Sequence, residues 1–200
     1  MKMSIDIHPK ELKGGWDAGY ALDVQTVEST YLGDNEFGRP MFDSRRSALG
    51  ELLYQLKYRN DMAAAGPIVE ALAEFLKIRS VTSDVIIPVA PSNPSRKSQP
   101  VIEIARTLST AVNIPLCEKC VLKIKSTPQL KNVYDFTERE RILRDAFAVN
   151  AKETSGKRVL LFDDLYRSGA TMNAVARLLK SDGQASAVFA LALTYTRSLR

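Results

Sequence analysis

Residues 159–171 read Val-Leu-Leu-Phe-Asp-Asp-Leu-Tyr-Arg-Ser-Gly-Ala-Thr, and they combine several local signals that together decide the fold. Four apolar residues, Val159 to Phe162, are typical of a strand that is buried on both faces of a parallel sheet. Asp163 and Asp164 follow, then a loop of small residues and a helix-like run from Met172 to Lys180. This order predicts a ligand site at the carboxyl end of a central strand in an α/β sheet.

The two acids indicate what kind of ligand the site would hold. Successive strand side chains point to opposite faces, so Asp163 and Asp164 can serve one ligand only where the chain leaves strand geometry. An unperturbed Asp has a pKa of about 3.9, and we therefore expect both carboxyl groups to be ionised at neutral pH. Adjacent carboxylates accept hydrogen bonds from the hydroxyls of a ribose and stabilise a sugar carbon that becomes positive during reaction.

The loop after the acids suits an anion such as phosphate. Gly169 lets the backbone approach the anion closely, while Ser168 and Thr171 offer hydroxyl groups. The start of the following helix adds unpaired N–H groups and the positive end of its dipole. The alternative is an exposed strand end followed by a helix that Thr171 merely caps. A cap is worth only about 1 kcal/mol and explains neither the acidic pair nor Gly169.

The same stretch resembles the phosphoribosyl pyrophosphate (PRPP) motif of the type I phosphoribosyltransferases. That motif consists of an apolar strand, two acids, three variable residues, Ser or Thr, Gly, a variable residue and Thr. Five residues match it position by position: Asp163, Asp164, Ser168, Gly169 and Thr171. Arg167 departs from the pattern, because that place is usually small or a Thr, although its backbone N–H still suits the loop. The resemblance implies that the loop binds the 5′-phosphate of PRPP through Arg167, Ser168, Gly169, Ala170 and Thr171.

Composition places the chain among ordinary globular proteins. Its 200 residues, 45% hydrophobic and 26% charged, fit one domain or one domain with an appendage. No apolar run reaches the roughly 18 residues of a membrane span, and the N-terminus lacks the apolar core of a signal peptide, so we expect a cytoplasmic protein. The net charge of +5 is compatible with nucleic acid and equally with a polyanionic small substrate.

Cys117 and Cys120 form a single Cys-x-x-Cys pair. A structural zinc site needs four ligands, but the sequence has no further cysteine, and its only histidine, His8, is distant. A redox Cys-x-x-Cys normally begins a helix, whereas strand-like residues 121–124 follow here. We therefore expect two reduced thiols, with a zinc ion shared between two subunits as the alternative.

The rest of the chain predicts further elements around the site. Residues 20–27 read as a half-exposed strand, and residues 37–42 as a second one. A helix that begins at Asp43 and another that begins at Pro67 would cover a sheet with their aliphatic faces. Strands alternate with helices through most of residues 84–194, which argues for a mainly parallel sheet.

A second strand end also meets a polar loop. Residues 84–89 are a short buried strand, and the loop at 91–99 is rich in Pro, Ser and basic residues. We interpret this loop as the site of the pyrophosphate group, beside the first site if the two strands are neighbours; the alternative is an ordinary surface loop.

Residues 121–125 and 147–149 read as strands, and residues 123–132 as a lid. The binding residues predicted here are Ala90, Pro91, Ser92, Lys123 and Lys125.

Residues 84–194 resemble in particular the ComF-like branch of the family, which is associated with competence and DNA uptake. The matching segments are Pro88–Pro91, Lys123–Gln129, Glu138–Arg139 and Ala146–Val149, and residues 50–58 fit the helix before its core. The N-terminal pair of Cys-x-x-Cys motifs that many ComF proteins carry is absent, so no zinc is carried over. The Arg-Gly-Phe-Asn-Gln stretch of that branch survives only loosely, at residues 95–99.

The resemblance implies a type I phosphoribosyltransferase-like, Rossmann-like α/β fold, with a mainly parallel twisted sheet flanked by helices. Residues 1–45 would form a small β-rich hood and residues 46–200 the core. It implies Mg²⁺-dependent transfer of the phosphoribosyl group from PRPP to a nitrogenous base, with Mg²⁺ bound mainly through PRPP and Asp163 and Asp164 as catalytic groups. It is compatible with a homodimer.

Two other functions stay open. The first is a non-catalytic PRPP- or nucleotide-sensing regulator, or a nucleic-acid-binding accessory protein of DNA uptake. The second is a flavodoxin-like or receiver-type phosphate binder, which would share the acidic strand end but does not account for Ser168-Gly169-x-Thr171. Nothing in the sequence identifies the acceptor base.

Overall fold

A computed structural model describes residues 5–91, 99–125, 127, 136–143 and 145–197. In chain order the strands are β1 (Lys10–Glu11), β2 (Ala18–Val24), β3 (Thr26–Asp34), β4 (Pro40–Arg46), β5 (Val85–Pro88), β6 (Val121–Lys123), β7 (Phe147–Val149), β8 (Arg158–Tyr166) and β9 (Ala187–Tyr195). The helices are α1 (Ala48–Tyr54), α2 (Ala65–Ile78), α3 (Pro100–Val112), α4 (Phe136–Leu143), α5 (Ala151–Thr154) and α6 (Ala170–Ser181). A π-helical turn, Gln55–Arg59, follows α1, and a 3₁₀ turn, Met62–Ala64, precedes α2.

Five strands form the central sheet, in the order β1-β2-β9-β8-β5. Strands β2, β9, β8 and β5 are parallel to one another, and β1 pairs antiparallel with β2 at the edge. The predicted α/β fold with a mainly parallel sheet is therefore confirmed. The apolar run in β8 is explained by its position between β5 and β9, where both faces are covered.

The sheet lies between two layers. Leu160 and Phe162 of β8 pack on one face against residues of α1, α2 and α3. Val159 and Leu161 pack on the other face against α6 and the β6–β7 pair. This alternation is the two-residue period expected of a strand that is buried on both faces. Within the described ranges, no helix is both long and apolar enough to cross a membrane.

The N-terminal region contributes to the core more than we expected. The sequence analysis assigned residues 1–45 to a separate hood, but β1 and β2 belong to the central sheet, where β2 pairs in parallel with β9. The hairpin β3–β4 forms a two-stranded sheet of its own. The first helix does not begin at Asp43, because β4 continues through that residue. Its N-cap is Ser47, whose hydroxyl oxygen accepts a hydrogen bond from the Gly50 N–H at 3.0 Å.

Strands β6 and β7 form a third, antiparallel sheet, which packs against the α6 side of the core. Both were predicted as strands, and both are confirmed. The cysteine expectation is wrong in this structure, since Cys117 and Cys120 are joined in a disulfide. Their Cα atoms are 5.5 Å apart, a separation that a disulfide readily spans. Cys120 is buried at the start of β6, so the disulfide lies beside that strand.

Candidate functional site

The acid pair lies inside β8 rather than beyond its end. The sequence analysis ended the strand at Phe162, whereas β8 continues to Tyr166 and pairs there with Tyr195 of β9. Backbone hydrogen bonds to β9 compensate for the loss of apolar side chains, which is why the strand does not stop at the acids. Asp163 and Asp164 consequently leave opposite faces of the strand, Asp163 on the face of Leu161 and Asp164 on that of Phe162.

Asp164 forms an ion pair with Lys57. The Lys57 Nζ lies 2.7 Å from the Asp164 Oδ2, and the two side chains are only 17% and 15% exposed. Lys57 belongs to the π-helical turn after α1, on the layer that covers this face of the sheet. The sequence analysis did not predict this residue. Its only signal was a position within residues 50–58, which the ComF-like resemblance marked as a helix before the core.

Asp163 has a different environment. Its Oδ1 accepts a hydrogen bond from the Asp164 N–H at 2.8 Å. Burial, and secondly the neighbouring Asp164 carboxylate, raise the pKa of Asp163 to about 8. The raised pKa of Asp163 favours its protonated form near neutral pH, contrary to the expectation that both acids are ionised. A protonated Asp163 beside the ion-paired Asp164 would let the site both donate and accept hydrogen bonds.

The start of α6 follows the end of β8 after a three-residue turn, residues 167–169. Gly169 is the N-cap with φ of +75°, and as a glycine it has no side chain to cap the helix. Thr171 lies in the first helical turn, so the alternative in which it merely caps α6 is wrong. Free N–H groups at such a helix start, and a positive φ that brings the backbone close, are the usual features of an anion site.

Asn173, in the first turns of α6, stabilises the turn before the helix. Its backbone N–H and its Nδ2 both donate to the carbonyl oxygen of Gly169, at 2.8 and 3.1 Å. Its Oδ1 in turn accepts from the Gly15 N–H at 2.7 Å, which ties the turn to the segment before β2. The Tyr166 ring stands where a Cβ on Gly169 would lie. The turn is therefore held in one shape without any ligand.

The other residues predicted in the phosphate loop occupy this turn with unequal exposure. Arg167 is exposed, whereas Ser168 and Thr171 are half-buried and Ala170 is buried. Because the Arg167 side chain is exposed, it does not fill the turn.

The second predicted loop begins beside the first. Strand β5 is the neighbour of β8, as required for the two loops to form one site, and the Val89 N–H donates to the Phe162 carbonyl oxygen at 2.8 Å. Ala90 and Pro91, both half-buried, thus start next to the acid pair. Ser92 and residues 93–98 lie outside the described residues, and so does most of the predicted lid, namely residues 126 and 128–132.

The two predicted lysines of the lid make local contacts in the structure. Lys123, on β6, donates from Nζ to the Thr127 hydroxyl at 2.6 Å, and burial lowers the pKa of its ammonium group. Lys125 is exposed, with its Nζ 3.8 Å from Asp145 Oδ2. These contacts belong to the β6–β7 region, so a role for either lysine in ligand binding stays a prediction.

Thr194 of β9 and Gln25, the residue between β2 and β3, support the acid pair. The buried Thr194 hydroxyl lies 3.0 Å from the Asp164 carbonyl oxygen and 2.6 Å from Gln25 Oε1. Gln25 Nε2 donates to the Gly50 carbonyl oxygen at 3.2 Å. A polar chain therefore connects the backbone of the acid pair to α1. The sequence analysis missed both residues, since a single Thr or Gln at a strand end carries no local signal.

Comparison with known proteins gives structural similarity only. No protein-family model and no curated protein matches the chain. Adenine phosphoribosyltransferase from Saccharomyces cerevisiae matches 82% of this chain and 83% of its own, with 14% identity and a TM-score of 0.46. Orotate phosphoribosyltransferase from Aeropyrum pernix matches 82% of this chain and 75% of its own, with 20% identity and a TM-score of 0.46. Adenine phosphoribosyltransferase from Trypanosoma brucei matches 95% and 86%, with 11% identity and a TM-score of 0.47. Similarities at this level do not assign the chain to a family, so its function has to be inferred from its own residues.

Proposed function

We propose that the protein is a phosphoribosyltransferase of the ComF-like kind, which transfers the phosphoribosyl group of PRPP to a nitrogenous base and releases pyrophosphate. One observation carries the proposal. A central parallel strand carries two adjacent carboxyl groups near its end, and after a three-residue turn it is followed by a helix whose N-cap is a glycine with positive φ. This arrangement supports binding of a sugar and of its phosphate at one edge of the sheet.

Each part of the site has a role in this proposal. The turn and the first N–H groups of α6, from Arg167 to Thr171, hold the 5′-phosphate. The ionised Asp164 accepts hydrogen bonds from the ribose hydroxyls and stabilises positive charge that develops at C1 as the bond to pyrophosphate breaks. Asp163 leaves the opposite face of β8, so its hydrogen bond would go to another ligand oxygen, on the side of α6. A nitrogen of the base then forms the new bond to C1 and loses its proton to solvent.

The pyrophosphate half of the ligand would lie at the end of β5, at Ala90, Pro91 and Ser92. This placement follows from the pairing of β5 with β8, which brings the two strand ends together. Lys123 and Lys125 would approach the ligand when the segment at 123–132 closes and excludes water. Both lysines would offer positive charge to a diphosphate.

Magnesium would reach the site with the ligand. In the described part of the chain, no three His, Cys, Asp or Glu side chains are grouped to hold a metal ion. Mg²⁺ commonly keeps several waters and binds substrate phosphates, so PRPP oxygens would supply most of its ligands. When bound, the ion would neutralise charge on the departing pyrophosphate. A homodimer and a cytoplasmic location belong to the same proposal.

Calorimetry with PRPP, with and without Mg²⁺, tests the proposal, followed by pyrophosphate release against a panel of bases. We expect saturable, Mg²⁺-dependent binding, and a turnover at least about a hundredfold lower in Asp164→Asn. The matched control is Asp182→Asn at the exposed C-cap of α6, which should behave as the wild type. Wild-type protein that binds no PRPP would exclude this function. Binding without pyrophosphate release for any base would instead support the sensing regulator.

A further inference from the structure

Lys57 lies at the acid pair but has no role in the mechanism above. Its Nζ is 2.7 Å from Asp164 Oδ2, and both side chains are largely removed from solvent. Charges in such a position are poorly screened by salt and strongly affect each other. An exposed ion pair would be of little consequence. This one lies at a carboxylate that the proposed function assigns to the ribose.

The backbone around Lys57 is fixed by the fold. Leu56, the preceding residue, is fully buried in the layer formed by α1, α2 and α3. The π-helical turn ends at Asn60 with φ of +54°, and the Asn60 N–H donates to the Gln55 carbonyl oxygen. π-Helical turns are rare in proteins, and those that occur are often found at functional sites. The direction of the Lys57 side chain therefore results from the structure of the turn rather than from free rotation on a surface.

Stability alone is a poor explanation for the ion pair. Removing two charges from water costs free energy that their attraction often fails to recover, so buried pairs rarely increase stability over apolar residues. The contact with Lys57 involves Oδ2 of Asp164, and a carboxylate has a second oxygen that can accept a hydrogen bond. A pentose diphosphate carries several negative charges, which an uncompensated carboxylate would repel.

We propose that Lys57 is a positioning residue of the ribose site, which orients the Asp164 carboxylate toward the sugar hydroxyls and compensates its charge before a polyanionic ligand binds. The inference rests on the proposed function, because Lys57 acts through a residue that contacts the ligand. It predicts that Lys57 affects binding of the pentose diphosphate much more than binding of phosphate alone. Phosphate alone needs only the turn before α6, on the other side of the acid pair.

The experiment compares Lys57→Met with Lys57→Arg and with Lys180→Met. Lys180 also forms a lysine–aspartate pair, with its Nζ 2.8 Å from Asp17 Oδ1. Asp17 binds the Val188 N–H at the amino end of β9, far from the carboxyl edge, so Lys180→Met is a matched control. Calorimetry with PRPP and Mg²⁺, and separately with inorganic phosphate, measures the two affinities. Circular dichroism and thermal unfolding report whether each variant is folded.

Lys57→Met should weaken PRPP binding by about tenfold or more, since it leaves Asp164 uncompensated. Inorganic phosphate should bind within about twofold of wild type, and Lys57→Arg should restore most of the PRPP affinity. The control Lys180→Met should leave both affinities unchanged. Equal PRPP affinity in Lys57→Met and wild type would overturn the role of Lys57 while leaving the proposed function standing. Wild-type protein that binds no PRPP would overturn both.

A second comparison, made in the Asp164→Asn variant, tests the proposal if Lys57→Met alone is poorly folded. In Asp164→Asn the carboxylate partner is already absent, so adding Lys57→Met no longer breaks that ion pair and should destabilise the fold less than Lys57→Met does in the wild type. If Lys57 acts through Asp164, PRPP affinity of the double variant should stay within about twofold of that of Asp164→Asn. A further tenfold loss in the double variant would show that Lys57 acts independently of Asp164, and would overturn its assignment as a positioning residue.

Discussion

Asp163 and Asp164 are neighbours in sequence, yet the fold gives them different chemistry. Asp164 meets an ammonium group at 2.7 Å, whereas Asp163 has a backbone N–H as its hydrogen-bond partner and is raised in pKa by burial and by Asp164. The difference follows from strand geometry, which sends the two side chains to opposite layers. Sequence could indicate two acids at a strand end, but not which of them would hold the proton.

The raised pKa of Asp163 predicts how stability depends on pH. An unfolded Asp titrates at about 3.9, while the folded group titrates at about 8. Between these values the folded state binds the extra proton, so the free energy of unfolding falls as pH rises through this window. The slope is at most about 1.4 kcal/mol per pH unit. The side chain in Asp163→Asn is neutral at every pH. The free energy of unfolding of this variant should therefore fall less than that of wild type between about pH 5 and pH 8.

Urea unfolding of the two proteins across this range measures the effect. The exposed Asp182→Asn serves as the control and should follow the wild-type curve. Parallel curves for wild type and Asp163→Asn would mean that Asp163 titrates at its ordinary pKa and that both acids are ionised at neutral pH. The role of Asp163 as a hydrogen-bond donor would then be wrong.

The turn before α6 is the element whose shape matters most for phosphate. At Gly169 any other residue would be strained by the positive φ, and a Cβ would in addition overlap the Tyr166 ring. Gly156 provides a control, because it has a similar φ of +71° but open space around its missing Cβ. A left-handed conformation costs an L-residue about 1–2 kcal/mol. Gly156→Ala should show only that cost, with unchanged phosphate binding.

Gly169→Ala should be less stable than Gly156→Ala, because Tyr166 or the turn has to move. The turn should also lose its affinity for inorganic phosphate, since its backbone can no longer approach the anion. Thermal unfolding and calorimetry on the two variants give both quantities. Equal unfolding temperatures together with wild-type phosphate binding in Gly169→Ala would show that the turn adapts and is not a preformed anion site.

Elements with a strong local pattern could be predicted from the sequence, and elements fixed by distant partners could not. The apolar residues 159–162 and the glycine before α6 are local signals, and both led to the correct order of strand, turn and helix. The continuation of β8 to Tyr166 depends on hydrogen bonds to β9. The residues of β8 alone do not indicate these bonds. The ion pair of Lys57 could not be predicted for the same reason, since its partner Asp164 is far along the chain and the π-helical turn that contains Lys57 has no sequence pattern.

At the scale of the molecule, the largest difference concerns the N-terminal region. A short alternating strand was correctly expected near residues 20–27, but its partner could not be read from the sequence. Strand β2 pairs with β9, the last strand, and so completes the central sheet from the opposite end of the chain. Such pairing is decided by the buried area of the whole sheet rather than by local composition. The hairpin β3–β4 is the part of the N-terminal region that does not belong to the central sheet.

The hairpin β3–β4 is therefore expected to be an appendage to a core that folds without it. Most of its side chains are exposed, including the large apolar ones Tyr31, Leu32, Phe37, Met41 and Phe42. Glu28 and Arg45 are register partners near its base. Replacing residues 29–44 by Asn-Gly would join these partners through a two-residue turn of the kind that hairpins favour.

This shortened protein should unfold cooperatively, within about 4 °C of wild type, the shift that 1 kcal/mol causes in a chain of this size. If the hairpin selects the acceptor base, as the proposed hood would, PRPP affinity should be retained while base-dependent pyrophosphate release is lost. Calorimetry and the base panel separate the two effects. Loss of PRPP binding in a folded variant would place the hairpin in the sugar site, and loss of cooperative unfolding would make it part of the core. Either result would contradict the division of the molecule into a five-stranded core, completed by β2, and a hairpin that acts only on the acceptor.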